Sequence, residues 1–340
     1  SFFAVVGILV TAFILVPLFG IQLTYLLFAL MTLLSGIYMI FKDSRLIRLF
    51  RLSYAVAAVF LFLALAVSFR LTEKSQASGT TLRTIEGKTA TFSAQSNSNG
   101  AIAILCNGNY LFGSDSNNFK AQSLSAYLPL LIYPDMQSSL VIGFGAGIAA
   151  SILDANGVDQ VFISDKYPEA IRLSSDVFAD VNNDILTSSR VSLSSEDARA
   201  FLDHTNRKFE LIAIPFNMSD LIPALYTTEF YMLSAGRLTE QGVLCQILPA
   251  KESALSFIKS CSSAFRSVSL WYVSPENLLM LATPNRHITD FCAFTETFAA
   301  INKHHSLDVI GIPDAETLLA HVLISDSRLK EFVRDIPENT

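Results

Sequence analysis

"VIGFGAGIAASILDANGVDQVFISDKY", residues 141–167, places three glycines between an apolar run and a helix-like stretch, and a second apolar run follows that ends at an acidic residue. The first run predicts a buried strand. The glycines Gly143, Gly145 and Gly147 let the chain turn tightly before a helix and approach a ligand closely. Asp165 ends the second run, 22 residues after Gly143, where a carboxylate can accept hydrogen bonds from ribose hydroxyls. This pattern is shared by NAD sites and S-adenosylmethionine sites, and a tight strand–helix turn without a ligand would use the same glycines.

Apolar runs alternate with helical stretches from Phe119 onward. The runs cover residues 139–144, 160–164, 190–194, 210–214, 242–248, 267–273 and 278–283. Strands that alternate with helices of about ten residues are typical of βαβ units in an α/β fold, with a mostly parallel sheet covered on both faces. The last two runs predict an antiparallel pair at one edge. Asn107-Gly108, between two short apolar runs, predicts a hairpin in a small β subdomain.

The first 71 residues have a different composition. Residues 1–41 contain no charged side chain, and a third uncharged run, 52–69, lies between Arg51 and Arg70. Because about 20 apolar residues cross a bilayer as a helix, we predict three transmembrane helices at about 2–19, 22–41 and 52–70, with a turn at Pro17 and Gly20. A polar linker, 72–81, then leads to the β subdomain, 82–118, and the Rossmann-like domain, 119–340.

Charge separates the same two parts. The chain has a formal net charge of −6, and residues 1–71 carry five basic side chains and one acidic one, so the remainder is strongly acidic. An acidic domain argues against a nucleic-acid partner, whose phosphates require a basic surface. The basic loop 42–51 points to a cytoplasmic loop by the positive-inside rule, which would send the following domain to the other side.

The cysteines and histidines predict neither a metal site nor a redox motif. No CxxC pair occurs, and the histidines do not converge at ligand spacings. The cysteines therefore predict buried core thiols. The residues concerned are Cys106, Cys245, Cys261, Cys292, His204, His287, His304, His305 and His321.

A resemblance to a known family follows from residues further along the chain. The block "LYTTEFY" at 225–231, the "GVL" strand after it and the tail beginning "IPDAETLLAHVLISD" at 312 resemble the spermidine synthase (polyamine aminopropyltransferase) family. The resemblance covers about 100–340 and extends to the branch in which membrane helices precede the synthase domain. It implies a class I S-adenosylmethionine-binding sheet with a small β domain ahead of it, and it suggests that both ends of the chain are truncated.

The resemblance assigns a cofactor pocket to this chain. Gly143, Gly145 and Gly147 match the family's glycine loop, and Asp165 matches its ribose-binding acid. In "EDARAFL", Asp197 matches the acid that binds the adenine amino group, with Glu196 beside it; the alternative is that Asp197 is a helix-start residue. The implied substrate that supplies the nucleoside is decarboxylated S-adenosylmethionine or S-adenosylmethionine, with no metal.

The catalytic half departs from the family pattern. The resemblance places the general base directly after the fourth strand of the sheet, where this chain has Pro215, so Asp220 is the nearest candidate. The family's His-Glu pair is replaced by Gln122-Ser123. We predict that Asp115, Gln122 and Tyr226 contact the amine substrate.

Three functions remain open from the sequence. The first is a membrane-anchored aminopropyltransferase that acts on an amine or polyamine; its globular domain is expected in the cytoplasm, where these substrates are made, against the indication of the basic loop. The second is a catalytically silent nucleoside-binding module, which Pro215 and Gln122 favour. The third is a methyltransferase. The expected partners are the small-molecule amine and the lipid bilayer, and a homodimer is compatible with the family.

Overall fold

The structure is a computed structural model, and it describes residues 7–8, 10–42, 56, 80–87, 89–285, 291–304 and 306–339. The chain divides into two compact units. One contains Ser1–Thr81 and Glu86–Thr91, and the other contains Leu82–Ile85 and Phe92–Thr340. The second unit contains every candidate site residue.

The helices are α1 Val16–Lys42, α2 Ser116–Ile132, α3 Ile148–Ala155, α4 Pro168–Val177, α5 Ala179–Asn182, α6 Ala198–His204, α7 Thr228–Arg237, α8 Ala254–Ala264, α9 Phe291–Ile301, α10 Ala315–Leu319 and α11 Asp326–Phe332. The strands are β1 Thr80–Glu86, β2 Thr91–Ser96, β3 Ile102–Cys106, β4 Asn109–Gly113, β5 Ser138–Ile142, β6 Gln160–Ser164, β7 Val191–Ser194, β8 Phe209–Ile214, β9 Leu238–Pro249, β10 Ser267–Tyr272, β11 Asn277–Thr283 and β12 Val322–Ser325.

The first unit corrects the membrane prediction. A short π-helix, Thr11–Leu15, leads into α1, which runs through Pro17 and Gly20 without the predicted turn. A membrane span requires about 20 consecutive apolar residues in one helix, and no helix within the described ranges meets that combined demand of length and hydropathy. The predicted integral membrane location is therefore wrong, and the predicted cytoplasmic orientation goes with it.

Several further predictions concern residues outside the described ranges. The third predicted span, 52–70, is described only at Val56, and the linker 72–81 only at its last two residues. Most of the basic loop 42–51, His287 and His305 also lie outside, as do the side chains of Cys292 and His304. The other three cysteines, Cys106, Cys245 and Cys261, are buried free thiols.

The small sheet precedes the larger one in the chain and has the order β1-β2-β3-β4. The hairpin predicted at Asn107-Gly108 joins β3 to β4, and both turn residues have positive φ, 50° and 82°. Asn and Gly tolerate that backbone region best, which is why they favour a tight hairpin here.

The large sheet confirms the predicted Rossmann-like α/β architecture. Its order is β12-β10-β11-β9-β8-β5-β6-β7. The neighbouring strands β9, β8, β5, β6 and β7 pair in parallel. Strands β11 and β10 run antiparallel to their neighbours, as the last two apolar runs predicted. The edge strand itself is β12, which pairs with β10.

The arrangement of the parallel strands positions the site. On one side of β5 lies β6, the next strand along the chain, and on its other side lies the later strand β8. Such a reversal of strand order leaves a crevice beyond the carboxyl ends of the strands, where ligands bind in open α/β sheets. The central strands β5 and β8 are largely buried and apolar, as expected for a parallel sheet covered on both faces; Leu140, Val141 and Ile212, for example, are fully buried.

Candidate functional site

The glycine loop joins β5 to α3 at the crevice. Gly143, Gly145 and Gly147 have φ values of 85°, 59° and 79°, a region that glycine enters without strain. A Cβ atom on Gly145 would lie 2.9 Å from Oε1 of Gln122 and 3.0 Å from the Phe216 ring. The glycines are therefore required both by backbone conformation and by close packing against the wall opposite.

Asp165 holds this loop in place. Its Oδ2 accepts a hydrogen bond from the Phe144 N–H at 2.9 Å, and its Oδ1 accepts one from the Tyr167 N–H at 2.9 Å. Burial raises the pKa of Asp165 to about 6, although the two N–H groups and Lys166 oppose that rise. The predicted ribose acceptor thus lies at the crevice, but both of its oxygens already accept backbone N–H groups.

The raised pKa of Asp165 predicts a pH dependence of stability. The folded state keeps the proton up to about pH 6, while the unfolded chain releases it near the ordinary value of 3.8. Because the folded state binds more protons between these values, the free energy of unfolding should fall as the pH rises through this window and then level off. Urea unfolding of the wild type and Asp165→Asn from pH 3.5 to pH 8 tests this. The wild-type value minus the variant value should decline only within the window; a difference independent of pH would contradict the assignment.

The two acidic residues after β7 occupy different environments. Asp197 lines the crevice, caps α6 by accepting the Arg199 N–H at 3.0 Å, and lies 4.0 Å from Nζ of Lys166. Glu196 is exposed, and its carbonyl oxygen accepts the Ser164 hydroxyl at 3.0 Å. The geometry of Asp197 agrees with both interpretations, an adenine contact and a helix-start residue.

The crevice beside the glycine loop, for which the sequence predicts a nucleoside, is narrow; we refer to it as the nucleoside crevice. Its free volume is about 20 Å³, whereas ligand pockets in proteins usually measure some 300–1,000 Å³. Phe216 occupies the space beside the glycine loop: its ring packs against Phe112 in a tilted arrangement, with 4.7 Å between centroids, and lies 3.0 Å from the Cβ position of Gly143. A nucleoside would fit this crevice only with a displacement of side chains such as Phe216.

A larger cavity of about 840 Å³ lies beyond the ends of β8, β9 and β4. Its wall contains three carboxylates, Asp115, Asp220 and Glu276, and one ammonium, Lys251. Tyr110 and six asparagines complete the polar part of the wall: Asn107, Asn109, Asn117, Asn118, Asn217 and Asn277. The lining is net negative and rich in oxygen acceptors, a chemistry suited to cationic ligands.

Asp115 is held on this wall by its own helix. It caps α2 by accepting the Asn118 N–H at 3.1 Å, and its Oδ2 accepts Asn118 Nδ2 at 2.8 Å and the Tyr110 hydroxyl at 3.1 Å. Burial raises the pKa of Tyr110 above its ordinary value, and the Asp115 charge adds to that effect. Tyr110 therefore stays protonated and remains a donor to Asp115.

Pro215 and Asp220 belong to the segment that follows β8. Pro215 is buried directly after the strand, whereas Asp220 is exposed in a turn closed by the Leu221 and Ile222 N–H groups, which both donate to the Met218 carbonyl. This turn brings Asp220 to the same cavity as Asp115.

Gln122 and Tyr226, predicted to contact the amine, are fully buried. Gln122 Oε1 accepts the Ala146 N–H at 3.0 Å, and its Nε2 donates to the Gly113 carbonyl at 3.4 Å, so it connects the glycine loop to the end of β4. The Tyr226 hydroxyl contacts the segment after β8. Both side chains hold walls of the site in place.

Sequence reasoning missed Glu276. It lies in the short connection between β10 and β11, and its Oε2 accepts Asn117 Nδ2 at 2.9 Å and the Ser274 hydroxyl at 3.1 Å. A lone glutamate beside a proline indicates a turn residue. Glu276 comes to the cavity only because β11 runs antiparallel beside β9. No signal in the sequence links it to Asp115 or Asp220.

A parallel Rossmann-like sheet, a glycine loop and an acidic residue after the second parallel strand together define the class of nucleoside-binding α/β proteins. Residues 118–285 match the family model described as the spermine/spermidine synthase domain. The chain thus contains a domain of the spermidine synthase family.

Relatives and solved structures agree with this assignment. The polyamine aminopropyltransferases of Oceanobacillus iheyensis and Streptococcus uberis are 26% and 27% identical over 60% and 48% of this chain, and the matches span 40% and 56% of their own lengths. Spermidine synthase from Thermotoga maritima superposes with a TM-score of 0.61 at 15% identity, covering 75% of this chain and 87% of that one. A probable spermidine synthase from Corynebacterium glutamicum gives 0.52 at 14%, covering 76% and 95%.

These similarities support the prediction of an enzyme, a transferase of the aminopropyltransferase type. The solved structures support the fold. The narrower prediction, the branch with membrane helices ahead of the synthase domain, gains no support from them. The chain spans about half the length, or less, of the first curated relatives that it matches.

Proposed function

We propose that this chain transfers an aminopropyl group from decarboxylated S-adenosylmethionine to an amine. The observation that carries the proposal is the junction of the two cavities: Leu221 lines both the nucleoside crevice and the larger acidic cavity, and Asp220 precedes it in the same turn. A sulfonium donor in the first cavity and an amine in the second would meet at this turn.

The chemistry requires a neutral amine beside the carbon attached to the sulfonium. The nitrogen lone pair attacks that carbon, the carbon–sulfur bond breaks with its electrons going to sulfur, and methylthioadenosine leaves. One proton must depart from the amine, and a nearby carboxylate can accept it. Asp220 is our candidate for this role because it is exposed in the turn that borders both cavities.

Asp115 and Glu276 suit a different task in the same proposal. Their carboxylates are hydrogen-bonded to neighbouring residues of the first turn of α2, Asn118 and Asn117. Carboxylates fixed in this way can bind the ammonium groups of a cationic amine by charge-assisted hydrogen bonds. We assign binding of the amine to this pair and proton acceptance to Asp220.

A second candidate is a catalytically silent nucleoside-binding module. Two observations favour it: Pro215 stands where the resemblance expects a base, and the crevice has a free volume of only about 20 Å³. Calorimetric titration of the full chain with S-adenosylmethionine, its decarboxylated form and methylthioadenosine, followed by an aminopropyl-transfer assay with putrescine, separates the candidates. Preference for the decarboxylated form with turnover supports the transferase. Binding without turnover supports the silent module, and preference for S-adenosylmethionine with methyl transfer would indicate a methyltransferase.

Restoring a carboxylate after β8 should increase turnover. With Pro215→Asp we expect faster aminopropyl transfer to putrescine, because a carboxylate directly after β8 would add to the proton acceptance that we assign to Asp220. Pro215→Asn is the matched control: it relieves the same proline constraint on φ without adding a charge. Equal rates in the two variants would show that the carboxylate is not responsible. Comparable melting temperatures are required for the comparison, because Pro215 is buried.

A further inference from the structure

The segment 216–222 forms part of the wall of both cavities. Asn217, Asp220 and Leu221 line the larger acidic cavity. Phe216, Met218, Leu221 and Ile222 line the nucleoside crevice. A small displacement of this segment would therefore alter both cavities together.

One buried hydroxyl group fixes the path of this segment. The Tyr226 hydroxyl accepts the Met218 N–H at 2.7 Å and donates to Oδ1 of Asn217 at 3.3 Å. The same Asn217 oxygen accepts the Ser219 N–H at 3.0 Å. Tyr226 is fully buried, and its ring packs against Phe257 in a tilted arrangement, with 4.7 Å between centroids, so the hydroxyl has a well-defined position.

Tyr226 is in turn held by Asn339 from the far end of the chain. Asn339 Nδ2 donates to the Tyr226 carbonyl at 2.9 Å, and its own carbonyl accepts the Thr228 N–H at 3.0 Å. The Asn339 N–H donates to the Ser260 hydroxyl at 2.7 Å, which ties the same residue to α8.

Glu338 adds a second attachment beside Asn339. Its two carboxylate oxygens accept the hydroxyl groups of Thr228, at 2.9 Å, and Ser263, at 2.5 Å. These hydrogen bonds lower the pKa of Glu338, so the carboxylate stays ionised at neutral pH. The pair Glu338–Asn339 thus joins α8 to the start of α7, where Tyr226 lies.

We propose that Tyr226 is a positioning residue for the segment 216–222, and that Glu338–Asn339 sets the position of Tyr226. The inference rests on the proposed function only in so far as it concerns turnover. In this proposal, residues outside the two cavities keep Asn217 and Asp220 in the wall of the acidic cavity and Met218 in the wall of the nucleoside crevice.

The test compares Tyr226→Phe with Tyr231→Phe in the full chain. Tyr231 is an equally buried tyrosine whose hydroxyl donates to Oε1 of Gln246 at 2.9 Å, so its removal also deletes one buried hydrogen bond. Amide hydrogen exchange of Met218 reports directly on the contact in question. We expect Tyr226→Phe to raise that exchange rate about five- to tenfold, the equivalent of one neutral hydrogen bond, and Tyr231→Phe to leave it unchanged.

Asn339→Ala tests the second half of the proposal, with Glu331→Gln, an exposed change in the same terminal region, as its control. Faster Met218 exchange in Asn339→Ala, but not in Glu331→Gln, supports the claim that Asn339 sets the position of Tyr226. A Met218 exchange rate in Asn339→Ala equal to that of the wild type would refute it.

Unchanged Met218 exchange in Tyr226→Phe would overturn the positioning role of Tyr226 itself. In the transfer assay, Tyr226→Phe should lower kcat and raise the KM for the amine while Tyr231→Phe changes neither. If the proposed function is wrong, the wild-type protein will show the expected exchange rate at Met218 but no aminopropyl transfer.

Discussion

Asp220→Asn is expected to lower the rate of aminopropyl transfer by about 10² to 10⁴, the usual contribution of a positioned general base. The substitution removes the charge and the proton-accepting capacity while keeping nearly the same side-chain volume. Asp220 is exposed in a turn closed by backbone hydrogen bonds to the Met218 carbonyl, so the fold should tolerate the change. The measurement is the initial rate of methylthioadenosine release with saturating donor and amine.

Asp159→Asn is the matched control. Asp159 is also exposed, but it directly precedes β6 and so lies at the amino-terminal edge of the sheet, away from the crevice. Its substitution should leave the rate unchanged. An Asp220→Asn protein with the wild-type rate would remove Asp220 as the base and transfer that role to another carboxylate of the cavity, Asp115 or Glu276.

Asp165→Ala should weaken the binding of methylthioadenosine by about ten- to a hundredfold, or 1.5 to 3 kcal/mol, because a charge-assisted acceptor for the ribose diol is lost. The structure adds a second reason: the substitution leaves the Phe144 and Tyr167 N–H groups without their carboxylate partner, and the glycine loop loses a tether. Isothermal titration calorimetry gives the affinity, and circular dichroism verifies that the variant is folded.

Asp176→Ala provides the comparison for that experiment. Asp176 is an exposed carboxylate of α4 that pairs with Arg83, so its loss deletes a negative charge without removing a hydrogen bond to the glycine loop. Wild-type affinity is expected for it. A folded Asp165→Ala protein that binds methylthioadenosine as tightly as wild type would show that the ribose assignment is wrong.

Much of the architecture could be predicted from local patterns. Alternating apolar runs and helices predicted the mostly parallel sheet, and the closeness of the last two runs predicted the antiparallel strands β10 and β11. Asn107-Gly108 predicted the hairpin between β3 and β4. These features follow from backbone propensities and from burial over short distances, which a single sequence expresses directly.

The membrane prediction failed in the part of the chain where composition was the sole guide. Uncharged runs at 2–19 and 22–41 suggested two helices with a turn at Pro17 and Gly20, yet α1 continues through both residues. Apolar composition by itself does not say where one helix ends and the next begins, and the helices of the described ranges do not meet the requirements of a span.

The sequence by itself determined which residues meet at the crevice: the glycine loop, Asp165 and Asp197 all lie on short connections after parallel strands, and parallel strands bring their carboxyl ends to one edge. Only the tertiary structure decided which residues form the larger acidic cavity. Glu276 reaches Asn117 through the antiparallel return of β11, Gln122 and Tyr226 turn inward to hold loops, and Asn339 reaches Tyr226 across more than a hundred positions of sequence. Contacts between residues so distant in the chain depend on the packing of whole elements, and no local spacing or propensity encodes them.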